Sequence, residues 1–141
     1  KRSPYEGGVR TPIMVAWPGH VAPGKHEQLV STIDFAPTVL QACGLPASQA
    51  LPGRDLVALA NTNALDRQTV YGEIFDNPSR SLLYRWFIRE QWKLIVPTAS
   101  GAPTQLYDVV QDPAEARDLA ADQPERVAAM RAELDRWWAP N

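Results

Sequence analysis

The hydrophobic pattern of the second half of the chain predicts a small sheet. Four runs there have the length and the β-branched and aromatic content of strands. They are Thr69–Phe75, Leu82–Arg89, Trp92–Val96 and Thr104–Val110. Only Glu90-Gln91 separates the second run from the third. A link of two residues predicts that these two strands form a hairpin.

A helical pattern follows the fourth run and ends the chain. Asp122 and Glu125 have the spacing of a capping box, which predicts that the helix begins with Asp122 as its N-cap. Beyond it, apolar side chains recur at spacings of three and four and so share one face: Val127, Met130, Leu134 and Trp137. Since such a face needs a partner, the pattern predicts a four-stranded antiparallel sheet covered by this helix, an α+β fold.

The first half has a different character. Pro12–Trp17 is a continuous apolar run, typical of a strand buried on both faces in an α/β sheet whose other strands lie outside this chain. Asp34 to Cys43 reads as a short helix with Asp34 as N-cap and Gly44 just past its end. A further helical turn is predicted near Leu56–Leu59. Residues 1–62 are therefore expected to be the tail of an α/β domain, and residues 63–141 a small α+β domain.

Composition and charge narrow the class of protein. The 141 residues carry a net charge of −2, with 45% hydrophobic and 21% charged residues, as is typical of a globular domain. That charge gives no electrostatic reason to expect nucleic acid or a membrane surface as a partner, and no apolar run approaches the roughly 20 residues of a membrane span. The single cysteine, Cys43, excludes an internal disulfide and a site of several cysteines, and leaves the cellular compartment open.

No complete active site can be assembled from these residues. Cys43, at the end of an amphipathic helix, is expected to be a small buried hydrophobe rather than a nucleophile. His20 and His26 are expected at the surface, because no carboxylates surround them at metal-ligand spacing. The sequence contains no Gly-x-Ser-x-Gly elbow and no glycine-rich phosphate loop.

The acidic residues and two cations complete the candidate chemistry. Asp34 and Asp122 are expected to act as caps and Asp112-Pro113 as a turn, so none forms a catalytic pair. Arg10 follows Gly7-Gly8, a pair suited to a tight turn, and is either a buried ion-pair partner or an anion ligand. Taken alone, Lys1 is expected to be a solvated terminal lysine.

A series of motifs in order along the chain closely resembles the C-terminal part of the sulfatase family, the arylsulfatase-like members of the alkaline phosphatase superfamily. The resemblance covers nearly the whole chain, and its most specific element is Tyr-Glu-Gly-Gly-x-Arg-x-Pro. The motifs are Lys1 with Tyr5–Pro12, Trp17–Gly19, Ser31–Thr38, Gly53–Leu56, Trp92–Ile95, and Leu106–Asp108 leading to Asp112–Glu115 and Asp118–Ala120.

The resemblance implies a large α/β domain that bears the active site and a smaller C-terminal domain with a four-stranded antiparallel sheet and a helix. Family members hydrolyse sulfate esters with a formylglycine made from the Cys or Ser of a Cys/Ser-x-Pro-x-Arg motif. Aspartates hold a divalent cation, usually calcium. A lysine four residues before the tyrosine of Tyr-Glu-Gly-Gly contacts the sulfate, and Lys1 matches that position as a catalytic and substrate-binding residue. Tyr5 and Arg10 are expected to brace its segment.

One departure from the family pattern decides what the chain can do alone. Cys43 does not match the nucleophile motif, because Gly44–Ala47 has proline in the wrong place and lacks the arginine. The resemblance implies that the nucleophile and the calcium ligands lie upstream of Lys1. The chain reads as a C-terminal fragment of a sulfatase, inactive by itself, whose partners are the rest of the catalytic domain and a sulfate ester. Whether the chain forms a homo-oligomer stays open.

Two alternatives remain beside this interpretation. Phosphonate and phosphate monoester hydrolases of the same superfamily share the architecture and much of the C-terminal pattern. A non-catalytic scaffold or interaction module would use its orphan strand and exposed Trp and Phe side chains to bind another chain. A Cys/Ser-x-Pro-x-Arg motif and aspartate ligands upstream would favour either enzyme over the scaffold.

Overall fold

The computed structural model describes residues 3–48, 50–62, 67–77 and 81–140. They fall into two compact units: residues 3–11 together with 69–140, and residues 12–68. The predicted division at residues 62 and 63 concerns the domains of a parent protein and stays a prediction. In the described part of the chain, no helix has the length and apolar character needed to cross a membrane.

The first unit is built on one antiparallel sheet, with its strands in the order β1-β2-β3-β4. The strands are β1 (Thr69–Phe75), β2 (Leu82–Arg89), β3 (Trp92–Pro97) and β4 (Gln105–Asp108). All four predicted strands are confirmed, as is the hairpin, in which Arg89 pairs with Trp92. The fourth strand is shorter than predicted because the Asp108 carboxylate accepts hydrogen bonds from the Val110 and Gln111 amides and turns the chain.

The described residues also form helices α1 (Glu6–Val9), α2 (Phe35–Ala42), α3 (Leu56–Thr62) and α4 (Pro124–Trp137), and a 3-10 helix, Thr32–Asp34. Helix α4 covers one face of the sheet, as predicted. Met130 and Leu134 are buried in a core shared with Phe87, Leu94, Val96 and Leu106, and Val127 packs at its edge. Trp137 is more exposed, and its ring stacks on that of Tyr71 with centroids 4.9 Å apart.

The predicted N-cap of helix α4 is wrong. The helix begins at Pro124, with Gln123 in the capping position. Pro124 fits the first helical position because it lacks the N–H that would be unsatisfied there. The Asp122 carboxylate instead lies 3.1 Å from the Arg117 guanidinium.

In the second unit, both predicted helices are confirmed, and Gly44 adopts the left-handed conformation expected after α2, with φ 70°. Asp34 occupies the N-cap position of α2 as predicted, but its side chain makes no capping hydrogen bond to that helix. Its carboxylate instead accepts hydrogen bonds from the amides of Ser31 and Arg54. Both terminal nitrogens of Arg67 also donate to it, each at 2.7 Å.

The strand predicted at Pro12–Trp17 is not formed. Residues 10–17 have no regular secondary structure, and the side chain of Met14 is 89% exposed. A strand requires a neighbour for its backbone N–H and C=O groups, and none of the paired strands of the described chain includes this run.

Candidate functional site

The Tyr-Glu-Gly-Gly segment forms a single tight helical turn. The amides of Gly8 and Val9 donate to the carbonyl oxygen of Tyr5, at 2.7 and 3.0 Å. The Arg10 amide donates to the carbonyl oxygen of Glu6 at 2.9 Å. One turn of helix has too few hydrogen bonds to be stable alone, so its conformation depends on contacts with the sheet.

A buried ion cluster supplies those contacts. The Lys93 side chain is fully buried on β3, and its Nζ lies 2.9 Å from Glu6 Oε1 and 2.9 Å from Glu115 Oε1. The other oxygen of Glu115, Oε2, accepts a hydrogen bond from the Glu6 amide. These three residues, Glu6, Lys93 and Glu115, are called the segment clamp below. Because a buried charge must be paired, the clamp fixes both the side chain and the backbone of Glu6.

Tyr5 makes a second connection to the sheet. Its hydroxyl donates to Gln105 Oε1 at 2.9 Å, and its ring packs edge-on against Tyr107, with centroids 6.0 Å apart. Burial raises the pKa of the Tyr107 phenol, and Tyr5 and the Asp118 and Glu115 carboxylates act in the same direction. Tyr107 therefore stays neutral, and the contacts of Tyr5 are those of a bracing residue.

Arg10 is neither buried nor tightly paired. Its side chain is 65% exposed, and one terminal nitrogen lies 3.9 Å from Glu6 Oε2. An exposed pair at that distance contributes between zero and about 1 kcal/mol. Of the two roles left open for Arg10, the buried ion-pair partner is excluded.

The two glycines of the segment differ in their surroundings, which gives a matched test. A Cβ on Gly8 would lie 2.3 Å from the Ser3 carbonyl oxygen, whereas a Cβ on Gly7 would meet nothing within 4 Å. We expect Gly8→Ala to destabilise the first unit by about 1–3 kcal/mol, because backbone atoms must move apart. Gly7→Ala should stay within about 1 kcal/mol of the wild type. Chemical denaturation followed by circular dichroism measures both, and equal effects would contradict the close approach at Gly8.

The other candidates from the sequence do not gather around the clamp. Lys1 lies outside the described residues. Cys43 is exposed, so the prediction that it is a buried hydrophobe is wrong. His20 and His26 are exposed, as predicted. The Asp112 turn is confirmed by a hydrogen bond from the Glu115 amide to the Asp112 carbonyl oxygen at 3.0 Å.

The residues described here do not fit a calcium site. Within those ranges, no group of three or more His, Cys, Asp or Glu side chains could hold a metal ion. A Ca²⁺ ion takes six to eight oxygen ligands, several of them carboxylates. The two carboxylates of the segment clamp, those of Glu6 and Glu115, are already paired with the Lys93 ammonium.

Sequence reasoning missed Lys93 and Glu115 as partners of the Tyr-Glu-Gly-Gly segment. A signal for Lys93 was present, since it is the one charged residue in the apolar run Trp92–Val96. A lysine in a strand buried on both faces has to find a carboxylate. Nothing in the spacing identified that carboxylate, because Glu6 and Glu115 lie 87 residues before and 22 residues after it.

Comparison with known proteins identifies the family of this chain. The family described as "N-sulphoglucosamine sulphohydrolase, C-terminal" matches residues 1–137. A choline-sulfatase from Rhizobium meliloti is 34% identical over 119 residues, which are 82% of this chain and 22% of that protein. Human arylsulfatase A is 41% identical over 73 residues, 50% of this chain and 14% of that protein.

A solved structure supports the same relationship. It belongs to work on glycosaminoglycan metabolism by Bacteroides thetaiotaomicron, and it superposes with a TM-score of 0.76 at 27% identity. The match covers 96% of this chain and 30% of that one, so this chain spans less than a third of the length of these relatives. The chain therefore belongs to the sulfatase family and corresponds to the C-terminal portion of its members.

Proposed function

We propose that this chain is the C-terminal portion of a sulfuric ester hydrolase and that it contributes Lys1 as the ligand of the substrate's sulfate group. The observation that carries the proposal is the segment clamp. It fixes the Tyr-Glu-Gly-Gly turn that follows Lys1, at the spacing at which the family resemblance implies a sulfate-binding lysine.

The chemistry of sulfate ester hydrolysis suits a fixed ammonium group. As the bond to the leaving oxygen breaks, negative charge grows on that oxygen and on the remaining sulfate oxygens. An ammonium held at those oxygens stabilises the transition state, and a single preorganised donor of this kind is worth about 3–4 kcal/mol. Lysine suits the role because its charge is compact and its three N–H groups can rotate.

The chain that follows Lys1 is anchored to the first unit. Pro4 is fully buried, and the Ser3 carbonyl oxygen lies against Gly8. Glu6, two residues after Pro4, is held by the segment clamp.

The remaining machinery belongs, on this proposal, to the rest of the parent protein. The formylglycine nucleophile and the aspartates for a divalent cation, which the resemblance implies to be calcium, are not matched by residues of this chain. When bound, that cation would neutralise negative charge on the sulfate. The chain's own residues would bind and orient one face of the anion through Lys1.

The two alternative functions have weaker support than sulfate ester hydrolysis. A phosphate or phosphonate monoester carries the same kind of tetrahedral anion, so a fixed lysine at Lys1 would serve it equally. A scaffold would use exposed aromatic residues such as Phe35 and Trp138, which are 46% and 39% exposed. A buried clamp around one turn has no evident use in a scaffold, so hydrolysis is the better-supported proposal.

Hydrolysis of paired substrates tests the proposed function. The parent protein, supplied with calcium, should turn over an aryl sulfate at least 100-fold faster than the matching aryl phosphate, while the 141-residue chain alone should be inactive on both. Faster hydrolysis of the phosphate would move the chain to the alternative enzyme class. Activity of the isolated chain above a heat-denatured control would show that the missing machinery was wrongly assigned.

A further inference from the structure

We propose that Lys93 and Glu115 are positioning residues for Lys1: they act on catalysis through the backbone of Glu6, although neither contacts the substrate. This inference rests on the proposed function, because it gives the segment clamp its purpose. It assigns roles to two residues that lie far from Lys1 in the sequence, on β3 and in the loop between β4 and α4.

The geometry of Glu115 fixes the position of Glu6 in two ways. Its Oε1 shares the Lys93 ammonium with Glu6, and its Oε2 accepts the Glu6 amide hydrogen. The Glu115 carboxylate thus binds Lys93, which is the partner of the Glu6 side chain, and also binds the Glu6 amide. Two contacts of this kind restrict the rotation of Glu6 as well as its translation. The backbone of Glu6, five residues after Lys1, is therefore held at a defined distance from β3.

Fold stability alone does not explain the buried ion cluster. Both charged side chains are removed from water: that of Lys93 is 0% solvent-accessible and that of Glu115 is 2% accessible. Replacing a buried ion pair by apolar residues of similar volume is often neutral or stabilising. A buried cluster of two carboxylates and one ammonium is thus a costly way to gain stability, and its directional contacts suit a role in positioning.

The backbone of Glu115 provides an independent observation. It has a φ of 53°, in the left-handed region that residues with a side chain seldom adopt. Strain of this kind persists where the surrounding structure enforces it, and it concentrates at functional sites. Here the enforcing contacts are the Asp112 carbonyl oxygen, which receives the Glu115 amide, and the Asp112 carboxylate, which receives the Arg117 amide.

The start of the same loop is fixed by Asp108. Its carboxylate accepts hydrogen bonds from the Val110 and Gln111 amides and from the Gln91 side chain. The Gln111 amide is the main cause that holds the Asp108 pKa below its usual range. The carboxylate thus stays charged at neutral pH, and the loop that carries Glu115 starts from a rigid point.

A double-mutant cycle on the parent enzyme distinguishes positioning from general stabilisation. The variants are Lys1→Ala, Lys93→Met and the two combined, compared by kcat/KM on an aryl sulfate at a temperature where circular dichroism shows each to be folded. With Lys1 present, Lys93→Met should lower kcat/KM by about 10- to 100-fold, because a displacement of about 1 Å is that costly. In the Lys1→Ala background it should lower kcat/KM by less than about twofold, because the group it positions is gone.

Glu115→Gln keeps the test valid if Lys93→Met fails to fold. The amide oxygen can still accept the Glu6 amide hydrogen, while the charge that pairs with Lys93 is lost. We expect a smaller loss of kcat/KM than for Lys93→Met, again confined to the background that retains Lys1. Arg89→Met is the matched control: it breaks a 2.5 Å ion pair with Glu133 under helix α4, and it should reduce stability without changing kcat/KM.

The outcomes separate this inference from the proposed function. If Lys1→Ala is fully active, both are overturned. If Lys1→Ala is impaired but Lys93→Met and Glu115→Gln each cost the same factor with and without Lys1, the positioning role is overturned and the proposed function stands. Loss of activity in Arg89→Met equal to that in Lys93→Met would likewise overturn it, since any weakened ion pair would then suffice.

Discussion

Replacing Lys1 by alanine in the parent enzyme should lower the turnover of a sulfate ester by about 100- to 1,000-fold, the usual cost of removing one preorganised donor to a developing anion. The melting temperature should change by less than about 2 °C, because removal of a lysine that serves the substrate leaves the clamp and the sheet core intact. Since the interaction strengthens as charge develops, most of the loss should appear in kcat.

Two further variants sharpen this result. Lys1→Arg keeps the charge but replaces a compact ammonium by a planar fork, so it should recover only part of the activity. Lys25→Ala removes an exposed lysine, 86% accessible and paired at 2.5 Å with Glu27, and should leave turnover unchanged. Full activity of Lys1→Ala on an aryl sulfate would remove Lys1 from the site, whatever the behaviour of the control.

Much of the first unit could be predicted from the sequence because its elements are bounded by local signals. The four strands have strand composition over their whole length, and the apolar spacing of Val127, Met130 and Leu134 is visible without knowing what they contact. The predicted cap at Asp122 failed for a local reason too. Pro124 is itself a strong start signal at the first helical position, and it places the cap one residue later than the acidic spacing indicates.

The run Pro12–Trp17 marks the limit of such reasoning. An apolar run indicates that a strand would have to be buried on both faces, but it does not show whether the covering elements are present. In the described chain these residues remain without strand pairing, and Met14 is exposed. The exposure of Cys43 has the same character, since burial depends on what covers a side chain and not on its own type.

The candidate site was predictable only where a motif was continuous in sequence. Tyr-Glu-Gly-Gly is one turn of chain, and its spacing from Lys1 could be compared directly with the family pattern. The clamp joins residues 6, 93 and 115, and nothing in a single sequence indicates that these distant positions are in contact. A structure was needed to show that the one charged residue in β3 is paired with the glutamate of that motif.

Asp34 organises the second unit, and its removal should have the largest effect on stability of any substitution considered. The carboxylate is fully buried, with two backbone amides and the Arg67 guanidinium as its donors. Asp34→Ala leaves these donors without an acceptor and Arg67, only 12% exposed, without a counter-ion. Breaking a buried pair in this way costs about 3–5 kcal/mol.

Asp55 provides a matched control in the same unit. Its carboxylate accepts a hydrogen bond from the Val57 amide at 2.9 Å, which is a helix cap worth about 1 kcal/mol. Denaturant titration followed by circular dichroism should therefore rank Asp34→Ala well below Asp55→Ala in stability. If the two variants unfold at the same denaturant concentration, the hydrogen bonds around Asp34 do not make the large contribution to the stability of the second unit that is expected here.

The pH dependence of stability gives a second measurement of the same site. Burial alone would raise the pKa of Asp34, but the hydrogen bonds from Arg67, Ser31 and Arg54 outweigh it and lower the pKa below 3.8. A carboxyl group whose pKa is lower in the folded state adds stability above its unfolded pKa, and that stability is lost as the pH falls through the folded value. The wild type should thus lose stability steeply below about pH 4, whereas Asp34→Ala should lose less over the same interval. Parallel curves for the two proteins would contradict the charged, paired state of Asp34.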